Sequence, residues 1–116
     1  MNYTGEECDA ARAAVDAINN KTDGVFDDLL PETVINATIT FASCGQVFDA
    51  WEALPIEPVA TIGPGCSTGV KAVSSADARI ELNSRAVVLS ESSTSTSISD
   101  RDEYPNVVRF GVQNRD

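Results

Sequence analysis

The chain has 116 residues, enough for one domain and too few for two, and its 42% hydrophobic and 22% charged content is that of a globular protein rather than a disordered one. A formal charge of −10 argues against a nucleic-acid partner, because phosphate binding needs clustered Lys and Arg. No run approaches the roughly 18 apolar residues that cross a bilayer.

Residues 6–19 read as a helix. Ala10, Ala14, Ala17 and Ile18 fall on one stripe at helical spacing, Thr4 is a candidate N-cap, and Glu6 and Glu7 suit the positive end of the helix dipole. Asn19, Asn20 and Gly24 end it, and a polar linker over 21–32 carries Asp23, Asp27 and Asp28. Residues 33–41 read as a strand, with Val34, Ala37, Ile39 and Phe41 in partial alternation. Residues 45–54 form a short helix through Val47, Ala50, Trp51 and Leu54, and Pro55 and Pro58 bracket a connector. A strand over 59–62 runs into Gly63-Pro64-Gly65.

The second long helix is expected over 67–82, with Val70, Val73 and Ile80 on one side and Ser67 or Thr68 as cap. Residues 86–89 form a strand without alternation, which predicts burial on both faces. A Ser/Thr-rich loop over 90–99 follows, and 106–110 is the last strand. Strands alternating with helices imply an α/β fold with a parallel sheet and helices on both faces.

The chain has no histidine, so neither a Ser-His-Asp nor a Cys-His arrangement exists within it, and the reading is a binding protein rather than an enzyme. Three cysteines without C-x-x-C spacing make a poor zinc set, so no metal and no cofactor are expected. Gly63, Gly65 and Gly69 match neither the dinucleotide nor the Walker spacing. What the strand-to-helix turn at 63–68 does offer is free N–H groups at a helix start, a ready site for a carboxylate or phosphate. Ser67 could add a hydroxyl donor there, or merely cap the helix. Ser92, Ser93 and Thr94 leave the next strand at the same sheet end, either as ligand contacts or as a solvated loop. Asp100 fits a helix or turn cap better than a ligand group.

The polar, acidic first ten residues lack the basic start and apolar run of a secretory signal, which taken literally favours the cytosol. Three glycosylation acceptor patterns stand against that: Asn2-Tyr3-Thr4, Asn20-Lys21-Thr22 and Asn36-Ala37-Thr38. With three cysteines, they favour an extracellular chain whose own start lies further upstream.

Three segments in order resemble one family. They are AARAAVDAINN from Ala10 to Asn20, VATIGPGCST from Val59 to Thr68, and VLSESSTSTSISDRDEYPNVVR from Val88 to Arg109. Together they resemble the ligand-binding region shared by class C G-protein-coupled receptors, natriuretic peptide receptors and bacterial amino-acid-binding proteins. The resemblance implies a three-layer fold of the type I periplasmic-binding-protein kind, with strand order 2-1-3-4-5. Residues 1–116 would then be part of lobe 1, without the family's first strand, second lobe or membrane segment.

The resemblance also implies that Ser67, Ser92 and Thr94 contact an amino-acid-like ligand, Ser67 at its carboxylate. It implies a disulfide between Cys44 and Cys66, with Cys8–Cys44 as the rival pairing. It places the helix of Trp51 and the helix from Ser67 near a homodimer surface. The function so implied is the extracellular ligand-binding module of a membrane receptor; the alternatives are a soluble solute-binding component of a transporter, or a fragment without function.

Overall fold

The computed structural model describes residues 5–110, with side chains from Cys8 onward. The candidate cap Thr4 and the acceptor Asn2 lie outside the described residues. Met1–Phe41 and Ala42–Asp116 are two compact units.

In the first unit, helix α1 spans Gly5–Asn19. Beyond it, Lys21 donates from Nζ to the Ile18 and Leu29 carbonyls, capping the helix end and folding the linker back on it. Residues 33–41 are not a strand, contrary to expectation. A strand needs a ladder partner, and among the described residues this stretch joins no ladder; Ile35 meets a side chain instead. The Asn19 amide accepts from Ile35 N–H at 2.7 Å and donates to Ile35 O at 2.8 Å. Alternating apolar residues report a preference for pleated surface, not the presence of a neighbour.

The second unit is α/β. A 3₁₀ turn at Cys44–Gln46 leads into α2 (Val47–Glu52), then β1 (Ala60–Ile62), α3 (Ser67–Ser74), α4 (Ala76–Leu82) and β2 (Val87–Ser90). A second 3₁₀ turn at Thr96–Ser99 precedes β3 (Val107–Arg109). The three strands form a parallel sheet in the order β1-β2-β3, with Thr61 opposite Val88 and Leu89 opposite Val108. This is the neighbour relation expected for these three strands.

The expected single helix over 67–82 is two. Ser75 takes an extended conformation and its Oγ accepts from Ala78 N–H at 3.2 Å, capping α4. The Ser75 hydroxyl competes with the helix for a backbone N–H, which a count of apolar spacing does not register. The break resets the helical phase. Val70 and Val73 are buried, while Ile80, expected on the same side, is exposed. Asn83, in the left-handed region at φ 49°, ends α4.

One core unites the helices and the sheet: Val47 and Trp51 of α2, Val70 and Val73 of α3, Val88 of β2, Val107 of β3, and Ile98 and Tyr104 from the last connection. Burial raises the Tyr104 phenol above its ordinary value of 10.0, and the charges of Glu103 and Asp100 raise it further. Strand β2 is not buried on both faces. Val88 and Ser90 point into the core, while Val87 on the other face is 40% exposed. Ile62 and Val108 share that open face by register, and both are exposed. Composition alone cannot separate a strand covered twice from one whose second face is apolar but open.

Gly69 sits where α3 crosses α2. A Cβ there would stand 3.0 Å from Pro64 Cβ, 3.0 Å from Val47 Cγ2 and 3.2 Å from Cys66 Sγ. Alanine gains about 1 kcal/mol in helix propensity over glycine, but overpacking costs about 1–3 kcal/mol. Gly69→Ala is therefore expected to lose about 1 kcal/mol, and Gly69→Val more. Gly45, with nothing near its Cβ position, is the control. Gly45→Ala should stay within about 0.5 kcal/mol of wild type in urea unfolding.

Candidate functional site

Two loops leave the C-terminal edge of the parallel sheet, one from β1 into α3 and one after β2. Serine hydroxyls join them. Ser90, the last residue of β2, donates from Oγ to Pro64 O at 2.8 Å, and Ser92 donates to Gly65 O at 3.0 Å. In the other direction, Ser67 Oγ accepts from the Thr94 and Ser95 N–H groups at 3.1 and 3.0 Å. The Cys44–Cys66 disulfide, with Cα atoms 6.1 Å apart, fixes the residue before Ser67 to the start of the α2 segment. Cys8 is unpaired.

These bonds bring Ser67, Ser92 and Thr94 together. Thr94 N lies 3.1 Å from Ser67 Oγ, so the two hydroxyl oxygens lie within about 7 Å by covalent geometry alone. That is within reach of one small molecule. Ser92 is exposed, Thr94 and Ser67 are half-buried, and Ser93 is buried. Ser93 Oγ has no hydrogen-bond partner among the described residues.

The role of Ser67 differs from a helix cap. The N-cap of α3 is Cys66, whose side chain makes no capping bond, and Ser67 is the first helical residue. The first α3 bond is Val70 N–H to Cys66 O at 3.0 Å. Among the described residues, no hydrogen bond engages the N–H groups of Ser67, Thr68 and Gly69. They leave a partial positive charge at the helix start.

The hydroxyls divide by capacity. Ser67 Oγ accepts twice and retains its own O–H to donate. Ser92 has committed its proton to Gly65 O and retains lone pairs to accept. Thr94 Oγ1 can do either. The edge therefore presents donors near the α3 start and acceptors beside them.

Asp100 is a turn residue, as expected: its Oδ1 accepts from Asp102 and Glu103 N–H at 3.0 and 3.3 Å. Trp51 belongs to the core. Asn20 and Asn36 are exposed, and Asn20 Oδ1 accepts from both N and Oγ1 of Thr22 at 3.0 Å. No cluster of potential metal ligands exists among the described residues. Nor is any described helix long and apolar enough to cross a membrane.

Sequence reasoning missed Ser90, Ser95 and Arg109 as parts of this edge. Only a polar residue ending an otherwise apolar strand, at Ser90, signalled the first. Ser95 acts through its own N–H and carbonyl, and the Arg109 guanidinium meets that carbonyl and the Ser99 hydroxyl, pairings that residue identity does not reveal.

Comparison with protein-family models, with curated proteins and with solved structures finds no match to this chain.

Proposed function

We propose that the chain is a ligand-binding module that holds the carboxylate of a small amino-acid-like ligand at the start of α3. The observation that carries this reading is the stitching of two post-strand loops. It sets the Ser67 hydroxyl, the unengaged first-turn amides of α3 and the Thr94 hydroxyl at one sheet edge. A carboxylate there would receive charge-assisted bonds from Ser67 and the α3 amides, and an ammonium on the same ligand would meet Ser92 and Thr94 oxygens. Edges of this kind, outside the carboxyl ends of parallel strands, are where open α/β sheets take ligands.

The resemblance of the three sequence segments extends the proposal to lobe 1 of an extracellular receptor domain of the periplasmic-binding type, with helices on both faces of a larger sheet. A disulfide suits an oxidising compartment, and the exposed acceptors Asn20 and Asn36 suit a secretory route.

The test is NMR titration of the ¹⁵N-labelled chain with millimolar L-glutamate, glycine and L-alanine. Saturable shifts are expected at the Ser67, Thr68, Gly69 and Thr94 amides. Thr94→Val, which keeps the backbone bond to Ser67, should weaken them, and Ser67→Ala should abolish them. Absence of shifts with every amino acid, or shifts that persist unchanged in both variants, would overturn the reading.

A further inference from the structure

Arg109 ends β3 and is half-buried. Its Nη1 donates to Ser95 O at 2.6 Å, and its Nη2 donates to the Ser99 hydroxyl. Ser95 and Ser99 flank the 3₁₀ turn: Ser95 is its N-cap and Ser99 its last residue. One guanidinium therefore grips both ends of the turn. Ser95 is also the residue whose N–H donates to Ser67 Oγ, next to the same bond from Thr94. Its N–H is held toward α3 and its carbonyl toward β3. Arg101 adds a second tie, from Nη1 to Val107 O at 2.7 Å.

A planar fork with several donors in fixed geometry can serve a carbonyl and a hydroxyl at once, which a lysine ammonium on a flexible stem cannot do with the same fixity. Without the fork, the Ser/Thr loop would keep its hydroxyl bonds to the 63–68 loop and the buried Ile98 side chain but lose this tie to β3. Segments held by fewer bonds open more readily in local fluctuations.

We propose that Arg109 is the positioning residue of the Ser/Thr loop, holding the 3₁₀ turn at both ends so that the Thr94 and Ser95 amides stay on Ser67. Its significance for binding rests on the function proposed above, but its ordering of the loop can be read without any ligand.

The experiment is amide hydrogen exchange by NMR on the 116-residue chain, comparing wild type with Arg109→Ala, Arg109→Lys and Ser99→Ala. In Arg109→Ala, Thr94 and Ser95 should exchange about tenfold faster or more. The Val70 and Val88 amides, bonded to Cys66 O and Asn106 O, should stay within about twofold. Arg109→Lys, retaining one of the two bonds, should fall between. Ser99→Ala, which leaves the arginine in place, should raise Thr94 and Ser95 exchange by a smaller factor. If Arg109→Ala does not fold, the lysine and Ser99 variants read the same amides in a folded chain.

Unchanged Thr94 and Ser95 exchange in the folded variants would overturn the proposal. So would a uniform rise at all amides, which marks a residue that only stabilises the unit. If the loop amides respond as expected while no amino acid shifts them, the binding reading falls and the positioning role stands.

Discussion

Trp51→Ala is expected to destabilise the chain by about 3–5 kcal/mol, the range for truncating a buried aromatic whose surroundings cannot collapse into the space. Trp51 is only 9% exposed and packs in the same cluster as Val47, Val70, Val73 and Val88. Its neighbours sit on three different elements, so no single shift can fill the void. Urea unfolding followed by far-UV circular dichroism measures the loss, and Trp51→Phe, which keeps most of the volume, should lose less. The same measurement separates a core residue from a dimer-surface residue. A core residue costs the same at every protein concentration. If the Trp51→Ala penalty grows with concentration, or stays under about 1 kcal/mol, the tryptophan is not the core anchor described here.

Removing the Cys44–Cys66 bridge is the second large effect. Its sequence separation is 22 residues, and closing a loop of that length restricts the unfolded chain by about 3 kcal/mol in the chain-entropy account. The double variant Cys44→Ser, Cys66→Ser should lose about that amount, and wild type treated with reductant should match it. The bridge also anchors Cys66, the N-cap of α3, so reduction should loosen the start of α3 before it loosens β2 or β3. Cys8→Ser is the control, because Cys8 is unpaired. Were Cys8→Ser to destabilise as strongly as the double variant, the rival Cys8–Cys44 pairing would be in force.

Much of the fold was legible from local patterns. The α2 stretch announced itself through Val47 and Trp51 at helical spacing, and both are buried where that spacing directs them. The strands near 60, 88 and 108 were marked by short β-branched runs between Gly, Pro and Asn punctuation. Parallel pairing followed from the helices between the first two strands. The meeting of Ser67, Ser92 and Thr94 was legible for the same reason: successive parallel strands send their following loops out at one edge.

Other features needed the folded chain. The sequence by itself determined which residues prefer pleated or helical backbone, because steric and side-chain preferences act over a few neighbouring residues. It could not decide whether a preferred strand finds a partner, so the stretch over 33–41 pairs with the Asn19 side chain instead of a ladder. Nor could it decide that Ser75 would turn from helix interior to helix cap, exposing Ile80, or that β2 would be covered on one face only. The same limit applies at the candidate site. That Ser67 would hold the loop rather than cap α3, and that Arg109 would grip Ser95 and Ser99, depend on backbone groups and one hydroxyl brought close from 10 to 28 positions away in sequence. Such distances are closed by packing of the core, and only the tertiary structure decides which carbonyl or amide a polar side chain meets.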